Sequence, residues 1–259
     1  MIILAIGDVI GKIGCNFLRE RLPQLKKLKG IDLVIANGEN SSDGNGITPA
    51  SAEFLFTSGV NVITTGNHAF RRKESYEYYD ECEYLVRPAN FPSGSTPGRG
   101  MTIVDMGKTQ VAVINLMGTA YLEALDCPFK EADRLIEQAK KENAKIIIVD
   151  FHAEATGEKR AMGYYLDGRV SAMFGTHTHV QTVDATILPN GTGYITDAGM
   201  TGPIHSVLGV KTDIIIKKFK EKLPQRFDIA TGDCKMNCVL MEIDDKTGQT
   251  LNIEALEIL

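Results

Sequence analysis

The chain opens on a short apolar run, Ile2-Ile3-Leu4-Ala5-Ile6, that stops at Gly7-Asp8, and runs of the same kind return along its length. Continuous Val, Ile and Leu bounded by Gly, Asn and Asp is the pattern of a strand covered on both faces. A strand at 2–7 leads into a helix at about 14–28, and a strand at 31–36 leads into a helix at about 48–58. Thr48-Pro49 gives that second helix an N-cap and a proline at its first position, where the missing N–H costs nothing. Val60 to Thr64 forms a third strand.

The rhythm then changes. Residues 87–100 are rich in Pro and Gly and read as loop. The segments 101–105 and 110–115, joined by Gly107-Lys108, read as an antiparallel hairpin. A helix at about 129–143 precedes the strand 145–150, and Val170 to Phe174, Thr186 to Leu188 and Gly193 to Thr196 continue the strand series. Met236 to Ile243 and Thr250 to Leu256 alternate around the turn 244–248. Helices early and late with hairpins in the middle and at the end predict an α/β fold of two mixed sheets packed face to face, helices outside. There is no internal repeat, low-complexity tract or linker, and a chain of 259 residues with 43% hydrophobic content is expected to form one domain, 1–259. A domain of that size buries roughly 70 to 75% of its unfolded surface.

Composition narrows the class. No apolar run approaches the ~20 residues needed to cross a bilayer, and Met1 leads into a strand without a basic leader, so a soluble, cytoplasmic protein without a membrane partner is expected. Five cysteines without framework spacing fit a reducing compartment. Cys234 and Cys238 have no second pair to complete a zinc site and read as strand residues. A net charge of −5 gives no general attraction to a polyphosphate, so long nucleic acid is not an expected partner. The basic stretches Arg19 to Lys29 and Lys211 to Arg226 read as the solvated faces of amphipathic helices. Homo-oligomers are common enough that one is expected here.

The chemistry lies at the strand ends. Four of the five histidines occupy three segments, Gly66-Asn67-His68, Asp150-Phe151-His152 and Gly175-Thr176-His177-Thr178-His179, each following an apolar run. Asp8 and Glu39-Asn40 follow two further runs. In α/β sheets the C-terminal strand edge is where ligands bind. Carboxylates, amides and imidazoles without thiolates suit a divalent ion such as Mn, Fe or Zn. Asp8, Glu39, Asn40, Asn67, His152, His177 and His179 are too many ligands for one ion and enough for two bridged by a carboxylate. An extended His177-Thr178-His179 would place both imidazoles on one side.

These segments, in this order, resemble the calcineurin-like metallophosphoesterases: an Asp after the first strand, an acidic loop after the second, Gly-Asn-His, a lone His, and Gly-His-x-His, where this chain has Gly175-Thr176-His177-Thr178-His179. The usual Asp-x-His opening is replaced by Asp8-Val9-Ile10, and Glu39 stands where a bridging Asp is expected. With Thr196-Asp197-Ala198-Gly199-Met200-Thr201-Gly202-Pro203, these departures are similar to the YmdB-type bacterial branch over essentially the whole chain. The resemblance implies a four-layer α/β/β/α sandwich, a di-iron or di-manganese centre with zinc as the alternative, and hydrolysis of cyclic nucleotides, notably 2′,3′-cyclic AMP. Carried over by position, Asp8, Asn40 and His179 would hold one ion, Asn67, His152 and His177 the other, and Glu39 would bridge. A hydroxide held by the ions would attack, and His68 would protonate the leaving oxygen. The other readings are a phosphomonoesterase or nuclease on the same scaffold, or a non-catalytic protein that senses a nucleotide or metal. His205 lies outside this pattern and is expected at most at the rim, where 87–100 and Thr201 to Ser206 are candidate walls.

Overall fold

Side chains of a strand alternate between its two faces, so a strand that is apolar throughout must be covered twice. The structure, a computed structural model, describes residues 1–92 and 94–259, and Ser93 of the loop at 87–100 lies outside the described residues. The first sheet contains β1 (Ile2–Ile6), β2 (Asp8–Val9), β3 (Leu33–Asn37) and β4 (Val62–Thr64). The second contains β5 (Met101–Asp105), β6 (Gln110–Met117), β7 (Ala144–His152), β8 (Ala172–Thr176), β9 (Thr186–Ile187) and β10 (Gly193–Ile195). The chain then returns to the first sheet as β11 (Met200–Pro203), β12 (Cys234–Ile243) and β13 (Thr250–Ile258).

Both sheets are mixed. β1 pairs parallel with β3 and antiparallel with β12, β4 extends the parallel side, and β13 closes the other as the antiparallel partner of β12. β11 runs antiparallel to the start of β12 and parallel to β2. The second sheet has the order β5-β6-β7-β8-β10-β9, parallel in the middle and antiparallel at both edges.

Alternation sorts the core into three layers of side chains. Ile3, Ala5, Leu33 and Ile35 meet Val111, Val113, Ile146 and Ile148 between the sheets. Their neighbours Leu4, Ile6, Val34 and Ala36 point the other way, beneath α1 (Gly11–Lys29), α2 (Pro49–Thr57) and Tyr79 of α3 (Tyr76–Glu81). Ala112, Ile114, Ile147, Val149 and Met173 pack beneath α4 (Pro128–Lys141) and α5 (Thr156–Leu166). The result is the four-layer α/β/β/α sandwich expected from the pattern. A last helix, α6 (Thr212–Glu221), carries the second basic stretch.

Cys234 and Cys238 lie in β12, as strand residues, and burial pushes the Cys238 thiol up to about 12. Among the described residues no helix is long and apolar enough to cross a membrane. The pattern did not predict α3, α5, β2 or β11. In α5 two glycines obscure the periodicity, and Gly163 is there because a Cβ would fall 2.4 Å from the Tyr194 ring.

Candidate metal centre

The strand ends of both sheets meet at one edge, and close backbone approach is what lets them meet. A Cβ on Gly66 would lie 2.1 Å from the His152 ring, and one on Gly175 would lie 1.9 Å from the Thr196 carbonyl oxygen. After β3, Asn37 Oδ1 accepts from the Glu39 N–H (3.1 Å), which turns the chain so that Glu39 faces inward.

Two groups of donors result. In the first, His152 Nε2 lies 2.9 Å from Asn67 Oδ1, 3.0 Å from His177 Nδ1 and 3.2 Å from Glu39 Oε1. In the second, Asp8 Oδ1 and the Asn40 amide converge on His179 Nε2 at 3.5 and 3.3 Å. Asp8 Oδ2 also accepts from the His177 N–H (3.1 Å), and Glu39 Oε2 from the His68 N–H (2.9 Å), so the carboxylates tie the groups together. The His68 ring joins them from the other side, its Nδ1 2.7 Å from Asn40 Oδ1 and 3.6 Å from Glu39 Oε1.

His177 and His179 do not reach these places by strand alternation. β8 ends at Thr176, and both histidines have left-handed backbone, with φ of 97° and 61°. The expected shared face is therefore replaced by a turn that sends one imidazole to His152 and the other to Asp8.

Burial sets the electrostatics. Asp8 and Glu39 are 0% and 1% exposed, and among the described residues no Lys or Arg pairs with either. Burial alone would raise both carboxyls, but His179 and His152 outweigh it at Asp8, and His152 and His68 at Glu39, holding both below the usual range. Burial lowers His152, but Glu39, Asp8 and Asp150 together outweigh it and raise it to about 9, while burial and the neighbouring His152 push His177 down to about 4. Two buried carboxylates facing imidazoles and amides, with no fixed cation, form an electron-rich cavity whose charge a divalent ion would compensate. The donor set thus fits hard to borderline metal ions.

Behind the donors stand groups that the motifs did not disclose. Thr176 Oγ1 donates its one proton to Asp150 Oδ1 (2.7 Å), so it accepts from His152 Nδ1 (2.9 Å), which leaves Nε2, the nitrogen a metal ion would deprotonate, facing the cavity. Burial raises Asp150 to about 7. Strand alternation puts residues 150 and 152 on one face, a signal that could have found this partner. Glu154 Oε2 lies 3.1 Å from His177 Nε2, and Leu208 O accepts from His179 Nδ1 (3.2 Å). Asp197 accepts from Thr178 Oγ1 (2.7 Å), Lys159 Nζ (2.7 Å) and the Gly199 N–H (2.8 Å), clamping the turn that carries both histidines.

A cleft of about 850 Å³ opens beside His68 and His179. Its walls are residues 43–45, Arg71, Arg72, Leu208, Val210 and 225–229. Thr201 to Pro203, read above as rim, are instead buried in β11, and from the loop at 87–100 Phe91 lines a smaller pocket with Asn67 and Arg71. His205 is exposed and lines neither. Substituting His205→Ala should leave metal content and kcat within about twofold of wild type, because a surface change away from packed or paired groups costs little. Loss of one ion, measured by elemental analysis, would put His205 in the coordination sphere.

Residues 4–256 match a family model described as YmdB-like protein. A relative from Bacillus subtilis strain 168 named 2′,3′-cyclic-nucleotide 2′-phosphodiesterase is 49% identical, over 100% of this chain and 97% of its own. A crystal structure of a hypothetical protein from Thermus thermophilus superposes with a TM-score of 0.93 at 40% identity, covering 99% of this chain and 98% of that one. One described as a novel phosphatase from Mycoplasma pneumoniae also gives 0.93, at 37% identity over 100% of this chain and 93% of that one. With donors, sandwich and full-length likeness in agreement, the chain belongs to the YmdB-like protein family.

Proposed function

We propose that the chain is a dinuclear metal-dependent phosphodiesterase that hydrolyses nucleoside 2′,3′-cyclic phosphates, 2′,3′-cyclic AMP among them. The observation that carries the reading is the division of seven donors into two sets around buried carboxylates without a fixed cation. Asp8, Asn40 and His179 would hold one ion, Asn67, His152 and His177 the other, with Glu39 between them. The name of the Bacillus subtilis relative supports the substrate class.

Two ions of the iron or manganese type would supply positive charge to the phosphoryl oxygens and make a water nucleophilic near neutral pH. The chain's residues do the rest. Thr176 and Glu154 hold the rings of His152 and His177 from behind, so their inner nitrogens keep direction as charge shifts in the cavity. Turned over, the Asn40 amide would offer its oxygen to the side of Asp8 and His179. His68 borders the open cleft with Nδ1 held by Asn40, and its Nε2 has no partner among the described residues. Burial lowers its pKa, with Glu39 opposing, so a proton on Nε2 is readily given to the leaving ribose oxygen.

Protein purified without chelator should contain two ions per chain and turn over 2′,3′-cyclic nucleotides in preference to phosphomonoesters. Stoichiometric binding without turnover would favour a sensing role and defeat the enzyme reading. A positioned general acid contributes about 10² to 10⁴ in rate. His68→Ala should therefore depress hydrolysis of 2′,3′-cyclic AMP by that factor and hydrolysis of bis(p-nitrophenyl) phosphate, whose leaving group needs no proton, far less. Equal losses on both would assign His68 to holding phosphate or metal instead.

A further inference from the structure

The basic stretch that ends at Arg226 has a definite destination. α6 carries Lys217, Lys218 and Lys220, and Lys222 at its C-terminus is left-handed (φ 59°), which turns the chain back. Residues 225–229 then form one wall of the cleft beside His68 and His179. That wall is anchored: Ile229 pairs with Val210, Lys211 N–H donates to Asp228 O (3.0 Å), and the Ile229 side chain packs over Gly11 and Gly44. Arg226 and Phe227 are thus set within three residues of a fixed point.

Charge in the cleft is unevenly matched. Asp43 pairs with Arg72 and Asp228 with Lys211, each at 3.5 Å. Arg71 and Arg226 have no side-chain partner among the described residues. Arg71 lines the same cleft as His68. A nucleoside 2′,3′-cyclic phosphate with a free 5′-hydroxyl bears a single negative charge, and that charge belongs at the metals. Arg226 would then face nothing. Phe227, 47% exposed on the same wall with Lys218 Nζ 4.6 Å over its ring, offers a surface of the kind that stacks a base.

Resting on the phosphodiesterase reading, we propose that the cleft accepts a 2′,3′-cyclic phosphate terminus carrying a second phosphate on its 5′ side, held by Arg226, with a base stacked on Phe227. The second phosphate could be a 5′-monoester or the internucleotide phosphodiester of a short RNA end, and both present the same oxygens to a guanidinium. Lys218, seated over the Phe227 ring, adds positive charge beside that wall.

The test compares three substrates on the metal-loaded enzyme: adenosine 2′,3′-cyclic phosphate, its 5′-phosphorylated form, and the diadenylate ending in a 2′,3′-cyclic phosphate. We expect kcat/KM to be about tenfold higher or more for a substrate with the second phosphate, since a hydrogen bond to a charged group is worth at least that. Preference for the 5′-phosphorylated nucleotide alone identifies a monoester, and preference for the diadenylate identifies an RNA end. Arg226→Ala should collapse the ratio toward one and flatten its salt dependence, and Phe227→Ala should lower affinity for the preferred ligand roughly tenfold. Equal kcat/KM for all three, or a ratio unchanged in Arg226→Ala, overturns the proposal while leaving the phosphodiesterase reading intact. Binding of the corresponding 3′-phosphate products, measured by calorimetry, separates the two failures. A preference for the second phosphate in binding without any turnover supports the cleft assignment and sinks the enzyme reading, and no preference in either measurement overturns the cleft assignment.

Discussion

Replacing Glu39 with Gln should remove metal and turnover together. The substitution keeps the shape of a side chain that is 1% exposed and sits 3.2 Å from His152 Nε2 while accepting from the His68 N–H. It removes one of the two carboxylates among the seven donors, so Asp8 would be the one acidic ligand left to the ions. Charge stabilisation by bound metals is worth several kcal/mol, which corresponds to a fall in kcat/KM of at least about 10³. Elemental analysis should show the content dropping from two ions per chain to one or fewer, with circular dichroism unchanged. Two ions and wild-type rates in Glu39→Gln would show that Glu39 does not bridge.

Much of this site was legible because its donors follow strands, and strands announce themselves. The runs at Ile2 to Ile6, Leu33 to Ala36, Val60 to Thr64 and Ile146 to Val149 are mostly or wholly apolar, so the polar residue that ends each one marks the same sheet edge. The sandwich was readable for the same reason: odd and even positions of these runs both needed cover, and the two sheets and outer helices provide it. Backbone geometry after the strands was not readable. Nothing in Gly175 to His179 says that both histidines adopt positive φ, a choice imposed by the packing of Gly175 against Thr196 and by the Asp197 clamp. The walls of the cleft were also hidden, since they come from segments far apart in sequence, 43–45, 208–210 and 225–229, whose proximity depends on how Ile229 docks. The partners behind the donors were partly hidden too: Lys159 lies in a helix that its own glycines masked, and a lysine there reads as solvated surface.

Lys159 supports the second large expected effect, a loss of stability that carries the metal site with it. Its ammonium and the Asp197 carboxylate are 1% and 0% exposed and 2.7 Å apart, and the lysine stem lies against the backbone of Gly175. Removing one partner of a buried pair leaves the other charge without compensation, at a cost of about 3 to 5 kcal/mol. In a chain of this size that lowers Tm by roughly 10 °C. Lys159→Met should show this loss in thermal unfolding of the metal-free protein, where the ions cannot mask it. Asp197 also holds Thr178 through its hydroxyl and its N–H, so an Asp197 left buried without compensation should draw water in, loosen the turn and weaken the hold on His177 and His179. Metal affinity should then fall by about 10- to 100-fold, as it does when groups that orient ligands are lost. The double variant Lys159→Met with Asp197→Asn removes the stranded charge and should be less destabilised than the sum of the two single changes, because the sites are in direct contact. Strict additivity, or a Lys159→Met protein as stable as wild type, would mean that the pair is not the clamp that sets the histidine turn.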